Sequence, residues 1–242
     1  MATLMTHVGV NKLLALADDG LLLDDDVLTF DDGCLVVHDN IDRLGKLPQR
    51  KIAFIVPEYA DINRPCQRTP GVYYQDDRVF NNSKPFMDVP MLKDLVAHGF
   101  ELGMHSFAHR TVLTHGTTPA NRLWRLATFF GVNQKRLAIA ATMFGTDSAL
   151  AVPGLVFNEP GQTPCQRTQQ EFVDFVHDDT QHCAAWFERA FNYIPTTYAA
   201  PFNHWSTELI HTLHELGVHE LFGNERLSVD DDYTEIVNAR SK

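Results

Sequence analysis

Short apolar segments alternate with amphipathic segments along most of this sequence. Segments of four or five mainly apolar residues, bounded by turn residues, predict buried strands at 27–30, 52–56, 101–104, 197–200 and 218–222. Apolar residues at helical spacing predict helices at 10–17, 39–47, 89–98, 169–192 and 207–216. Because strands and helices alternate, we expect a mainly parallel sheet with right-handed crossovers.

Capping residues mark the ends of two of the predicted helices. Asp88 and Ser206 are of the type whose side chain accepts a backbone N–H at a helix start. Gly99 and Gly217 stand where a left-handed residue commonly ends a helix. These residues support the boundaries of both helices.

The segments between these elements are less regular. Pro, Asn and Asp residues predict a long loop at 58–87 and a second loop at 153–164. Weaker patterns predict a helix at 123–127 and a strand at 138–144.

Composition and charge indicate a globular protein and argue against one class of partner. The chain has 242 residues, of which 44% are hydrophobic and 21% are charged, which suits one large α/β domain. The formal net charge of −11 argues against a nucleic-acid partner, because such binding depends on clustered Lys and Arg. The sequence does not indicate an oligomeric state.

Cysteine spacing and the N-terminal sequence set further expectations. The four cysteines form no Cys-x-x-Cys pair, so we expect neither a zinc finger nor a disulfide framework. Residues 1–7 lack the basic and apolar pattern of a secretion signal, and no apolar run approaches the roughly 18 residues that span a bilayer. We therefore expect a cytoplasmic protein with no membrane span.

Two adjacent carboxylates follow the first predicted strand. Asp31 and Asp32 stand where the strand 27–30 ends, and Gly33 follows them. In α/β folds, ligands bind at the carboxyl ends of parallel strands. One carboxylate can bind a metal ion while the other takes a proton from water, although a simple Asp-Asp-Gly turn is the alternative. Cys34, which follows Gly33, is interpreted as a small packing residue.

Two histidines follow another predicted strand and could complete a metal site with the two carboxylates. His105 and His109 follow the strand 101–104. On a helical turn, residues four apart share a face, so both imidazoles can reach one ion. Carboxylate and imidazole ligands together suit a divalent ion such as zinc. Three protein ligands leave a position for water, which is the arrangement of a hydrolytic metal site.

These two motifs resemble a known family. Residues 29–33 (Thr-Phe-Asp-Asp-Gly) and 105–109 (His-Ser-Phe-Ala-His) resemble the first two motifs of the polysaccharide deacetylase family, also called the NodB-homology or carbohydrate esterase 4 family. Residues 99–105 resemble the approach to the family's histidines. Residues 198–202 (Tyr-Ala-Ala-Pro-Phe) resemble its third motif, which forms a wall of the groove.

The resemblance implies a fold and a domain organisation. It implies a distorted (β/α)7-type barrel formed by a single domain over residues 1–242. The resemblance extends over roughly 27–57, 88–112 and 168–223, so the segments 58–87 and 113–167 are interpreted as insertions.

The resemblance also implies roles for individual residues. Asp32, His105 and His109 are expected to bind a divalent metal ion, with zinc as the leading candidate, and Asp31 is expected to be the catalytic base. The implied reaction removes an acetyl group from an acetylated sugar or glycan substrate. Pro201, Phe202 and Trp205 are expected to contact the substrate, and a backbone N–H near Phe202 is a candidate oxyanion donor.

The sequence departs from the family pattern in two places. Ala199 stands where the third motif normally opens with an Arg that orients the base. A late Leu-x-His segment, which supplies the family's general acid, has no counterpart after the last predicted strand. His204 is our candidate for this catalytic role. His219 is interpreted as pointing outward from a strand.

Three functions follow as alternatives. The leading hypothesis is a metal-dependent hydrolase that deacetylates an amino sugar or a glycan intermediate. A second is a C–N hydrolase that acts on a non-sugar amide. A third, which the two departures favour, is a catalytically inactive homologue that binds a glycan.

Overall fold

The computed structural model describes residues 4–5, 10–60, 86–115, 144–156, 165–223 and 226–228. Its main sheet has seven strands in the order β1-β2-β3-β4-β9-β10-β11. These strands are β1 (Leu4–Met5), β2 (Val27–Phe30), β3 (Arg50–Ile55), β4 (Phe100–Met104), β9 (Thr197–Ala199), β10 (Glu220–Phe222) and β11 (Arg226–Ser228). All neighbours are parallel except β11, which is antiparallel to β10. The predicted parallel sheet is therefore confirmed.

Helices connect most of the parallel strands. They are α1 (Val10–Asp18), α2 (Leu35–His38), α3 (Ile41–Leu44), α4 (Pro57–Ala60), α5 (Val89–Ala97), α6 (Gln169–Phe191) and α7 (Thr207–Glu215). The predicted caps are confirmed, because the side chains of Asp88 and Ser206 accept the N–H groups of Met91 and Leu209, each at 3.1 Å. None of the helices in the described ranges is both long and apolar enough to cross a membrane.

The prediction of one helix over 39–47 is wrong. Two four-residue helices, α2 and α3, occupy the region from Leu35 to Leu44. The break comes at Asn40, whose φ of −116° and ψ of 17° are not helical. The Asn40 side chain donates to the Val36 carbonyl at 2.9 Å, a local bond that competes with continuation of the helix.

Other boundaries also differ from the predictions. The strand predicted at 52–56 begins at Arg50 and ends at Ile55, and α4 occupies the start of the predicted loop 58–87. A short strand, β7 (Leu155–Val156), lies inside the loop predicted at 153–164. The predicted helix 123–127 lies outside the described residues, as does the predicted strand 138–144 up to its last residue.

The main sheet is curled, as contacts between distant strands demonstrate. In a flat sheet β3 and β10, three strand spacings apart, would be about 14 Å from each other. Instead, the rings of Phe54 and Phe222 have centroids 5.2 Å apart. At the amino ends of the same strands, Arg50 donates to Glu220 at 2.8 Å and also pairs with Glu101 of β4. This curvature and the α/β alternation confirm the distorted (β/α) barrel.

The concave face of the sheet is filled by a small apolar cluster of Val27, Ile52, Phe54, Ala199 and Phe222. Gly103 of β4 lies beneath the Phe54 ring, and a Cβ there would collide with that ring and lie 2.7 Å from the Thr197 hydroxyl. A residue without a side chain is therefore required at position 103 for Phe54 to cross the interior.

The convex face packs against the helices in the main core. The predicted apolar stripe of α6 is confirmed, because Phe172, Val176, Cys183 and Phe187 are all buried. The larger core also includes residues of α5 and α7 and the outward-facing residues of the strands. Alternation along β3 places Ala53 and Ile55 in this core, while Ile52 and Phe54 face the concave side.

A second, four-stranded antiparallel sheet lies beside the barrel. Its order is β6-β5-β7-β8, with β5 (Thr111–His115), β6 (Phe144–Ser148), β7 (Leu155–Val156) and β8 (Cys165–Gln166). Arg167 anchors the segment after β6 by donating to the carbonyls of Ala149 and Val152 at 2.9 and 3.0 Å. This sheet lies largely within 113–167, and the interpretation of that segment as an insertion stays a prediction.

The interior of the barrel generates a stability prediction. We expect Gly103→Ala to lower the free energy of unfolding by about 1–3 kcal/mol, because the added methyl group overpacks the space under Phe54. The double variant Gly103→Ala/Phe54→Leu should recover part of the loss, since the smaller side chain makes room. Chemical denaturation measures both values, and an unchanged stability for Gly103→Ala would contradict the packing described here.

Candidate metal centre

The carboxyl ends of β2 and β4 bring two distant motifs together. Asp31 and Asp32 follow the last residue of β2, and His105 follows the last residue of β4. Both strands are parallel and flank β3, so their carboxyl ends lie at the same edge of the sheet. This is the edge at which α/β folds bind ligands.

The Asp32 carboxylate is presented by a tight left-handed turn. Asp32 has a φ of 68° and Gly33 a φ of 71°. Asp and Gly are among the residues that adopt this region at low cost, which explains why the sequence places them after the strand. The Gly33 carbonyl accepts the N–H of Met87 at 2.9 Å, so the turn is tied to the start of the segment that leads into α5.

The two histidines lie on an irregular loop, and the expectation of a helical turn is wrong. Residues 105–110 form no helix, and Ser106 and His109 adopt left-handed φ values of 65° and 50°. The Ser106 hydroxyl oxygen accepts the N–H of His109 at 2.7 Å, which closes the loop locally. Each left-handed residue of this kind costs about 1–3 kcal/mol, so the surrounding structure must hold the loop in shape.

Three ligand atoms converge at this edge of the sheet. The Nε2 atoms of His105 and His109 lie 3.5 and 3.8 Å from Oδ1 of Asp32, and the three atoms lie within 4.8 Å of one another. Across the described ranges, no other group of three His, Cys, Asp or Glu side chains has this spacing.

The spacing of these atoms fits a shared ion better than direct hydrogen bonds. Hydrogen bonds bring donor and acceptor to about 2.7–3.2 Å, which is shorter than either separation. In a tetrahedral site with bonds of about 2.0–2.1 Å, neighbouring ligand atoms are roughly 3.4 Å apart. The distances of 3.5 and 3.8 Å are close to this value.

A backbone carbonyl orients one of the imidazoles. Nδ1 of His105 lies 2.8 Å from the carbonyl oxygen of Ala199, so this nitrogen carries the proton and donates it. The Nε2 lone pair is then left to face Asp32. Histidines that bind metal ions are commonly fixed in this way through the other ring nitrogen.

Asp179 of α6 is hydrogen-bonded to this loop, and the sequence analysis did not identify it. Its Oδ2 accepts the N–H of Phe107 at 2.8 Å, and the hydrogen-bonding groups of Ser106 and Ala108 also stabilise the charged carboxylate. Burial raises the pKa of Asp179 to about 6, although these hydrogen bonds lower it. The available signal was a carboxylate on the apolar stripe of α6, between Val176 and Cys183.

Cys34 lies beside the paired carboxylates. Burial, together with the negative charges of Asp32 and Asp31, raises the pKa of its thiol to about 12. The side chain is therefore a neutral thiol at physiological pH, which agrees with its interpretation as a packing residue.

The third motif forms one side of the centre. The Phe202 ring packs on His109, with centroids 4.9 Å apart, and Phe202 itself has a left-handed φ of 61°. Pro201 is buried, and Trp205 is half-buried with its indole so close to Gly223 that a Cβ there would collide with it. Ala199 belongs to the apolar cluster of the concave face, so this position is not polar.

His204 forms a pair with a carboxylate from the second sheet. Its Nδ1 lies 2.7 Å from Oδ1 of Asp147 in β6, and about half of the His204 side chain is exposed. Asp147 gave no signal in the sequence, because only folding brings β6 beside the third motif. His219 precedes β10, at the edge of the sheet opposite the metal-ligand group, and its side chain is exposed.

Comparisons with known proteins identify the fold. No protein-family profile and no curated protein sequence matches this chain. A de-N-acetylase from Aggregatibacter actinomycetemcomitans superposes with a TM-score of 0.57 at 14% identity, over 95% of this chain and 75% of that chain. The BpsB deacetylase domain from Bordetella bronchiseptica superposes with a TM-score of 0.59 at 14% identity, over 94% of this chain and 75% of that chain. The fold expected from the sequence resemblance is therefore confirmed.

The convergence of the three ligand atoms predicts metal binding. We expect the purified protein to bind one Zn²⁺ ion, and Asp32→Ala, His105→Ala and His109→Ala each to weaken binding by more than about 100-fold, since each removes a ligand. His219→Ala, at the opposite edge of the sheet, is the matched control and should bind as the wild type does. Isothermal titration calorimetry measures the affinities, and wild-type affinity in all three variants would contradict the assignment.

Proposed function

We propose that this chain is a metal-dependent hydrolase that removes an acetyl group from an amino sugar or a glycan intermediate. The observation that carries the proposal is the convergence of Asp32, His105 and His109 at ligand spacing on the carboxyl edge of the sheet. The fold shared with the two deacetylases supports the choice of reaction.

In the proposed enzyme, Asp32, His105 and His109 hold a divalent ion, for which zinc is the leading candidate. Their oxygen and nitrogen donors suit zinc, and three protein ligands are typical of its catalytic sites. A bound divalent ion would polarise the acetyl carbonyl and make water more acidic.

Asp31 is the proposed general base. It follows β2 directly, next to the ligand Asp32, and its side chain is half-buried at the same edge of the sheet. A carboxylate in this position can take a proton from the water that attacks the acetyl carbon. The carbon–oxygen bond then forms as the proton moves to Asp31.

His204 is the proposed general acid. It lies two residues beyond Phe202, whose ring packs on His109, and the Asp147 carboxylate orients its ring through Nδ1. The Nε2 atom can then deliver a proton to the leaving nitrogen as the carbon–nitrogen bond breaks, which yields acetate and a free amine. This pair would take the place of the missing late Leu-x-His segment.

Pro201, Phe202 and Trp205 remain the proposed substrate contacts. Phe202 contacts the ligand group through its packing on His109, and its backbone N–H is a candidate oxyanion donor. Trp205 is half-buried against Gly223, so only part of its indole is available to a sugar ring. Pro201, being buried, offers the least surface of the three.

An acetate-release assay tests the proposed reaction. With Zn²⁺ bound, we expect the protein to release acetate from at least one member of a panel of N- and O-acetylated saccharides, and to stop when the ion is removed with a chelator. Asp31→Asn should lose about 10²–10⁴-fold in kcat, because it removes a general base, and should keep its affinity for Zn²⁺.

The same panel separates the alternatives. Turnover of cyclic amides without turnover of acetylated sugars would favour the C–N hydrolase. Zn²⁺ binding and saccharide binding without any turnover would favour the inactive glycan-binding homologue and contradict our proposal. The cytoplasmic location and the absence of a nucleic-acid partner stay predictions of the sequence.

The role of His204 predicts a dependence on the leaving group. We expect His204→Gln to lose about 10²–10⁴-fold in kcat on the N-acetylated substrate, whose amine needs a proton. It should lose far less on 4-nitrophenyl acetate, whose leaving group departs without one. Asp147→Asn should show the same selectivity with a smaller loss. His214→Gln, an exposed histidine of α7, is the matched control, and an equal loss on both substrates in His204→Gln would rule out a proton donor.

A further inference from the structure

The loop that carries both histidines has no regular structure of its own. It connects β4 to β5 through residues 105–110, and two of its non-glycine residues adopt left-handed φ values. The hydrogen bond from the His109 N–H to the Ser106 hydroxyl closes the loop without attaching it to the rest of the fold. The spacing of the two imidazoles must therefore be set by contacts from outside.

Asp179 supplies one of these contacts, and the Glu58 N–H, which donates to the Phe107 carbonyl at 3.0 Å, supplies another. The Phe107 N–H donates to the Asp179 carboxylate, and the polar groups of the two flanking residues, Ser106 and Ala108, stabilise the charged form of the same carboxylate. The side chain is buried, and the bond from the Phe107 N–H is 2.8 Å long. One carboxylate thus connects the segment between His105 and His109 to α6.

The helix that carries Asp179 is a rigid support. It is 23 residues long, begins with a capping box formed by Thr168 and Glu171, and buries its apolar stripe in the core. Cys183, one turn after Asp179, is fully buried on the same face of the helix.

Packing alone does not explain an acidic residue at this position. Val176 and Cys183, its neighbours on the same stripe, are apolar and fully buried. Burying a carboxylate is unfavourable unless hydrogen bonds compensate for the lost water, and an apolar residue would serve the core better. At Asp179 the groups that compensate for the lost water belong to the loop between His105 and His109. This indicates that the carboxylate holds that loop in place.

We propose that Asp179 is a positioning residue of the metal centre, which fixes the spacing of His105 and His109 by binding the loop between them. This inference rests on the metal ligands of the proposed function. It assigns Asp179 no contact with the substrate.

The test compares Asp179→Asn with a matched control. Asn keeps the shape of Asp but presents an NH₂ group to N–H donors, so the loop loses hydrogen bonds. We expect Asp179→Asn to bind Zn²⁺ about 10–100-fold more weakly, as is typical when a residue that orients a ligand is lost, and to change the visible absorption of the Co²⁺-loaded protein. Thr180→Val is the control, because Thr180 is equally buried but donates only within α6, to Val176.

Affinity and absorption separate positioning from general stability. A structural role would lower the melting temperature while the folded molecules kept the wild-type Zn²⁺ affinity and Co²⁺ spectrum, and that result would overturn the inference. If Asp179→Asn does not fold, Asp179→Ala removes the acceptor without placing an unpaired polar group in the core. Weaker Zn²⁺ binding by this variant supports the inference, and wild-type binding overturns it.

The proposed deacetylase activity is tested separately from the role of Asp179. A wild type that binds Zn²⁺ but releases no acetate from any acetylated saccharide contradicts the deacetylase, while the comparison of metal affinities still decides the role of Asp179. A wild type that binds no divalent ion contradicts both.

Discussion

The convergence of one carboxylate and two imidazoles at the carboxyl edge of the sheet is the constraint on which this site depends. Oδ1 of Asp32 and the Nε2 atoms of His105 and His109 converge at separations that are too long for hydrogen bonds and suited to a shared cation. The proton of His105 is held on the opposite side of its ring by the Ala199 carbonyl, so this imidazole presents a lone pair to the group. Such an arrangement is stable when a positive charge lies between the ligands.

The backbone is locally strained around Asp32, His105 and His109. Asp32, Ser106, His109 and Phe202 all adopt left-handed backbone conformations at or beside the centre. Such residues are found where the surrounding structure holds them and are frequent at functional sites. The curled sheet supplies the rigid frame, because Gly103 lets Phe54 fill its concave face and α6 covers its convex face. The candidate ligands are thus carried by turns, and the residues that hold the turns lie on regular elements.

Much of this could be predicted from the sequence, for a physical reason. The strand β2 is apolar enough, and the helix α6 is long enough, for the sequence pattern to determine their structure. The candidate ligands Asp32 and His105 lie within two residues of a strand end. The shape of the histidine loop could not be predicted, because a spacing of four residues is compatible with a helical turn and with the irregular loop that forms. The pairs of Asp147 with His204 and of Asp179 with the loop join residues far apart in sequence, so only the folded chain brings them together.

X-ray absorption spectroscopy of the Zn²⁺-loaded protein tests the central claim most directly. The account predicts a first coordination sphere of oxygen and nitrogen atoms at about 2.0–2.1 Å, with the multiple-scattering signal of two imidazoles. This signal should fall to that of one imidazole in His109→Ala. A sphere that contains sulfur at about 2.3 Å, or one without imidazole, would contradict the claim that Asp32, His105 and His109 hold the ion.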